Sequence, residues 1–178
     1  MSSTQQVLET EMDITAATAD TDQFLTFILE GEEYGVDILR VQEIKGWNKV
    51  TPIPNTPVYI KGVINMRGTI VPIVDLRERF GLEAVEYGPM TVVIVLKVLN
   101  PDTGSERIMG IVVDAVSEVY NVPSGELAPP PDFGAVVRVE FVRGLATVDE
   151  KMVIVLDIDH LLNSDELAVV DRAAREQG

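Results

Sequence analysis

Apolar residues along this chain gather in short, β-branched runs broken by glycine, proline and acidic turns. That is the rhythm of strands, not of amphipathic helices. Gln23–Leu29 reads as a strand, Glu30-Gly31-Glu32-Glu33 as a turn and Tyr34–Ile38 as the return. Val50–Pro57 holds Pro52, Pro54 and Pro57. Proline lacks an N–H and fixes φ, so this segment is an extended edge or loop. Lys61–Asn65 and Thr69–Asp75 predict a hairpin around Asn65-Met66-Arg67-Gly68. Leu76–Phe80 follows as one helical turn stopped by Gly81. Thr91–Leu99 is a strongly apolar strand, Asn100–Gly104 a turn cluster, and Ile108–Tyr120 returns as a strand.

The two ends differ from this pattern. Residues 1–22 are rich in Thr, Ala and acids and read as a mobile tail. In residues 164–178, Ser164 precedes Asp165 and Glu166, and Leu167, Val170 and Ala174 follow at helical spacing, with Arg172 and Arg175 trailing. Acids first and bases last suit a helix dipole, so a short carboxy-terminal helix is expected.

The pattern also repeats. Tyr34-Gly35-Val36-Asp37-Ile38 aligns with Met109-Gly110-Ile111-Val112-Val113 at an offset of 75, where Val41 meets Val116 and Glu43 meets Glu118. Pro52 and Pro54 align with Pro129 and Pro131 at an offset of 77. At 82, Lys61-Gly62-Val63 aligns with Arg143-Gly144-Leu145 and Asp75 with Asp157. The order is kept while small insertions shift the offset. This predicts an all-β protein of two units, each of roughly 70 residues, closed to remove their edges. The halves would divide near 23–88 and 89–163, with exchange of elements between them left open.

Composition narrows the chemistry. Twenty-nine acids against fourteen bases give the 178-residue chain a net charge of −15. With no Lys/Arg cluster, this argues against nucleic acid. There is no cysteine, so disulfides, thiolate metal sites and cysteine catalysis are excluded. The amino terminus lacks a signal-peptide layout and no apolar run approaches a membrane helix. A soluble, cytoplasmic protein is expected.

No phosphate-binding glycine motif is present. His160 is the single histidine, too isolated for a metal site or a Ser-His-Asp set. Asp37, Asp75, Asp114 and Asp157 each end an apolar run. A carboxylate-dependent hydrolase is one reading of them; turn-shaping acceptors of backbone N–H groups is the simpler one. Arg67 is either a solvated turn charge or an interface arginine. Glu43 is equally a solvated strand residue or a contact. Trp47 reads as partly buried, and Gly62 as a bend or a place of close backbone approach.

These residues resemble the CheW family of chemotaxis coupling proteins. The resemblance rests on Tyr34–Ile38, Glu43-Ile44, Ile53–Pro57, Ile60–Gly68, Val71–Arg77 and Gly110–Asp114, and it covers about 23–170. Leu161-Leu162-Asn163-Ser164 fits as well, while the loop near Asn100–Arg107 is longer than in enteric-type members. The resemblance implies two SH3-like five-stranded barrels packed on an apolar seam. It implies an adaptor without enzymatic activity or cofactor, bridging chemoreceptor cytoplasmic tips to the regulatory domain of a CheA-type histidine kinase in membrane receptor arrays. A fragment of such a kinase's regulatory region is the related alternative. Val41, Glu43, Gly62 and Arg67 match positions sensitive in receptor or kinase coupling. Asn65, beside Arg67, joins this contact set, and Gly110 matches a strand near the groove between the barrels.

Overall fold

The computed structural model describes residues 21–130 and 139–163. The expected carboxy-terminal helix at 164–178, and residues 1–20 of the expected tail, lie outside the described residues. Ten strands carry the fold: β1 (Thr21–Leu29), β2 (Glu32–Asp37), β3 (Val41–Gly46), β4 (Ile60–Met66), β5 (Thr69–Asp75), β6 (Val92–Leu99), β7 (Glu106–Val113), β8 (Ala115–Pro123), β9 (Val142–Val148) and β10 (Lys151–Leu156). Two short helices, α1 (Leu76–Arg79) and α2 (Ile158–Leu162), follow β5 and β10. Thr21 and Asp22 pair with Pro123 and Val122, so the tail expected to run to residue 22 ends inside β1.

The strands form two five-stranded sheets. One runs β8-β1-β2-β10-β9 and the other β3-β6-β7-β5-β4. The first repeat supplies β1–β5 and the second β6–β10. Each sheet takes the first two strands of one repeat and the last three of the other. A division at residue 88 therefore does not separate the sheets; the repeats are reciprocally exchanged. The apolar stretch Ile108–Tyr120, read as one strand, is two: Asp114 interrupts it, and β7 and β8 lie in different sheets. Asp114 ends the apolar run, but periodicity does not show that the chain changes sheets there.

The repeat is kept to the level of single hydrogen bonds. Asp75 N–H donates to Tyr59 O at 2.7 Å, and Asp157 N–H to Phe141 O at 2.7 Å. The chain after β3 meets β4 through a Thr51–Val63 bridge, and the chain after β8 meets β9 through Ala128–Leu145. Each sheet thus has its two outer strands linked by one pair of bonds. The proline-rich segment is otherwise outside the ladders, as its missing N–H groups require. In each half one glycine strand runs parallel to a partner: Gly110 opposite Ile73, and Gly35 opposite Val155.

Most strands bury both faces, which explains their unbroken apolar runs. In β6, Val93 and Val95 face the interior of their own sheet with Val71, Ile73 and Val112. The alternate residues Ile94, Leu96 and Val98 enter a larger shared core. That core takes Leu25, Phe27 and Leu29 from the other sheet, and Leu161 and Leu162 from α2. A smaller cluster of Phe24, Tyr120, Val122, Ala146, Val153 and Val155 fills the first sheet. Each large aliphatic side chain buried there is worth about 1.5–3 kcal/mol. Neither sheet keeps that contribution without the other.

The two points where the chain passes between sheets are tied by ion pairs of opposite polarity. Arg40, after β2, holds Asp159 of α2 through two bonds of 2.9 Å, and also donates to Lys97 O. Asp159 accepts from Leu99 N–H as well, at 2.8 Å. At the other crossing Asp114 accepts from Arg77 of α1 at 3.2 and 3.1 Å and from Glu30 N–H at 3.0 Å. The bidentate, half-buried geometry makes these stronger than ordinary surface pairs. Asp159→Ala strands both Arg40 and the Leu99 N–H. It is expected to lower unfolding stability by about 2 kcal/mol in urea titration, against a loss below about 0.5 kcal/mol if the clamp is only decorative.

Candidate functional site

The β4–β5 hairpin owes its shape to a two-residue turn. Met66 pairs with Thr69, and both intervening residues have positive φ: 52° at Arg67 and 88° at Gly68. That is the sense of turn whose twist suits a hairpin, and glycine adopts it without strain. Asn65 Oδ1 accepts from Gly68 N–H at 2.8 Å and ties the turn together. The arginine side chain is left 78% exposed at the tip.

Arg67 reaches across to β3, where its Nη2 lies 3.5 Å from Glu43 Oε2. A pair this long, with the arginine in solvent, is worth under about 1 kcal/mol although Glu43 Oε2 itself is buried. Its partner can therefore be replaced at little cost. Glu43, Asn65 and Arg67 thus stand together where the outer strands β3 and β4 face each other. Val41 opens β3, half-buried opposite Leu96.

The two glycines are of another kind. Gly62 lies buried in β4 with φ of 140°, and a Cβ there would sit 2.1 Å from Thr51 O. A Cβ on Gly110 would lie 2.8 Å from both Ile73 Cδ1 and Val93 Cγ1. Gly62 lets the Thr51 backbone approach, Gly110 makes room for the Ile73 and Val93 side chains, and neither presents a side chain to a partner.

Beside this site Trp47 is partly buried, as its sequence setting predicts. Trp47, next to β3, packs on Tyr87 with ring centroids 4.1 Å apart, and its backbone N–H donates to Thr91 O at 3.1 Å. Tyr87 O–H donates to Asp75, which also caps α1 by accepting from Glu78 N–H. Burial and this carboxylate push the Tyr87 phenol far above its usual range. The apolar neighbourhood of Trp47 was legible; Tyr87, in a segment with no periodicity, carried no signal.

The aspartates behave as turn-shaping acceptors. Asp37 accepts from Leu39 N–H, Asp157 from His160 N–H, and Asp75 and Asp114 have the partners already described. Asp75 and Asp114 are engaged separately, which takes away the observation that suggested a carboxylate hydrolase. Among the described residues no group of His, Asp and Glu is placed to hold a metal ion, and no helix is long and apolar enough to cross a membrane.

The sequence pattern of the CheW-like domain matches residues 23–166. The chain belongs to the CheW-like family. A chemotaxis protein CheW from Klebsiella aerogenes is 48% identical over 153 residues, which cover 86% of this chain and 89% of that protein. One from Rhizobium meliloti is 35% identical over 144 residues, covering 81% and 89%. Among solved structures, the scaffolding protein TtCheW of Thermoanaerobacter tengcongensis has a TM-score of 0.71 at 33% identity, covering 82% of this chain and 94% of that one. The two β subdomains of the CheW fold are thus the two sheets described above.

Two consequences are measurable. Gly62→Ala is expected to cost about 3 kcal/mol or more, because the new methyl meets a carbonyl rather than a flexible side chain. Gly46→Ala, with nothing within 4 Å of its Cβ, should change stability by under about 1 kcal/mol in the same denaturation assay. Equal losses at the two positions would contradict the backbone contact. His160 Nδ1 lies 2.7 Å from Asp157 Oδ2, and that bond and charge raise the imidazole above its ordinary value. The stabilisation is therefore fully present below the unfolded value, near 6.5, and lost as pH rises through the raised folded value. Compared with His160→Gln, the wild type should gain up to about 1 kcal/mol between pH 9 and pH 5.5, the ring being largely exposed. A constant difference across that range would contradict it.

Proposed function

We propose that this chain is a binding adaptor that couples chemoreceptor cytoplasmic tips to the regulatory domain of a CheA-type histidine kinase and so supports receptor arrays. It acts in the cytoplasm, at membrane receptors, without catalysis, cofactor or nucleic acid. The observation that carries this reading is the Arg67 turn: an exposed cation, weakly held, at the tip of a tightly built hairpin in a chain of the CheW-like family. Proteins called chemotaxis protein CheW or scaffolding protein are its relatives, which supports scaffolding as the mode of action.

The physical mode is association with a helical receptor tip on one surface and a β domain of the kinase on another. Holding both on one body raises the effective concentration of kinase at receptor. Val41, Glu43, Asn65 and Arg67 are the proposed contacts, with Gly62 and Gly110 holding the backbone behind them. Residues 23–163 are the unit proposed to bind.

Calorimetry with a receptor cytoplasmic fragment and with a kinase regulatory domain tests the reading. Wild type is expected to bind both. Arg67→Glu should weaken at least one by about ten-fold or more while leaving the circular dichroism spectrum native. Unchanged affinity for both, in a folded variant, would remove Arg67 from the interface.

A further inference from the structure

We infer that the cleft beside the Arg67 hairpin is an anchor for a carboxylate-bearing segment of a protein partner. The inference rests on the adaptor reading and names the chemistry of one of its contacts. β3 and β4 are the outer strands of their sheet; the chain just after β3 meets β4 through the Thr51–Val63 bridge, and the Arg67–Glu43 pair spans them at the hairpin tip. Between them lies a cleft of about 240 Å³. Lys45, Asn48 and Lys49 line one side of it and Ile64 and Asn65 the other.

Its polar lining is Lys45, Asn48, Lys49, Thr51 and Asn65, and is rich in donors. The side-chain oxygen of Asn65 is already taken by Gly68 N–H at 2.8 Å, and that of Asn48 by Lys49 N–H at 2.8 Å. These bonds fix which way each carboxamide faces, so its NH₂ group is what remains to offer. Among the described residues the ammonium groups of Lys45 and Lys49 meet no carboxylate within 4 Å; Arg40, Lys61, Arg67, Arg77 and Lys97 all do. Two lysines without a carboxylate partner among the described residues and two asparagines thus line one cleft in a protein of net charge −15.

An acceptor-rich, negatively charged group is what such a set recognises. The aliphatic lining from Val50, Ile64 and Val93 favours a side chain with an apolar stem over a bare anion. That describes a glutamate or aspartate on a partner segment. The wall is held in place beforehand by Trp47, through its Tyr87 contact and its bond to Thr91, so little ordering is needed on binding. Asn65 joins this cleft directly to the Arg67 turn. A carboxylate seated here would extend the same contact surface.

The test measures binding of the receptor cytoplasmic fragment and of the kinase regulatory domain at about 50 mM and about 500 mM salt. The Lys45→Gln/Lys49→Gln protein is expected to bind one of the two about ten-fold more weakly at low salt. The difference should shrink at high salt, where exposed charges are screened. Lys45→Arg/Lys49→Arg should bind like wild type, and Lys151→Gln, on the other sheet, should be neutral. Three outcomes would overturn the inference: a natively folded double Gln variant that binds both probes like wild type at both salts, an equal loss in Lys151→Gln, or a failure of the Arg pair to restore binding. Wild type that binds neither probe would overturn the adaptor reading, and this inference with it.

Discussion

Everything in this molecule depends on the apolar seam shared by the two sheets. Each sheet is small, and most of its strands have two faces to cover. One face fills the sheet's own interior. The other has nowhere to go except against the partner sheet. Ile94, Leu96, Met109 and Ile111 from one side and Leu25, Phe27 and Leu29 from the other meet there and are almost wholly buried. Small units bury too little surface to be stable alone, so the seam is what makes the fold possible.

The reciprocal exchange of strands follows the same logic. Because β1–β2 and β6–β7 each complete a sheet otherwise built from the other repeat, the two repeats cannot part without breaking ladders. The two crossings are short and each is clamped, one by Arg40–Asp159 and one by Asp114–Arg77. The charges are inverted between the clamps: the helix partners Arg77 and Asp159 correspond at an offset of 82, while Arg40 and Asp114 lie within one residue of corresponding positions at the crossings. The repeat has conserved the need for a tie, not its polarity. A hairpin mounted on such a frame holds its tip residues in a defined place, which is what a contact surface requires.

Much of this was legible in the chain. The hairpin at 61–75, the helical turn after Asp75 and the repeat all came from local patterns, and local patterns are set by neighbours in sequence. The repeat even placed the second hairpin, whose turn carries Asp149-Glu150 with φ of 50° and 67° where the first has Arg67-Gly68. What could not be read was anything fixed by partners far apart in sequence. Sheet membership is one example: β7 and β8 look like a single strand until the hydrogen bonds show Asp114 crossing between sheets. The site divides the same way. Arg67 was visible as a cation in a tight turn. That Glu43, already a candidate contact, is its neighbour, and that Lys45, Asn48 and Lys49 line a cleft, emerge only when β3 is set against β4. Gly62 was recognised as a place of close approach, but not that Thr51 is what approaches.

The repeats have kept their backbone while their tips diverged, one turn bearing a cation and the other two acids. The most direct measurement is sedimentation of this chain mixed with a receptor cytoplasmic fragment and a kinase regulatory domain. The account predicts a complex containing all three, with both partners on one copy of the chain. Complexes of the chain with either partner, but mutual exclusion when both are present, would contradict it.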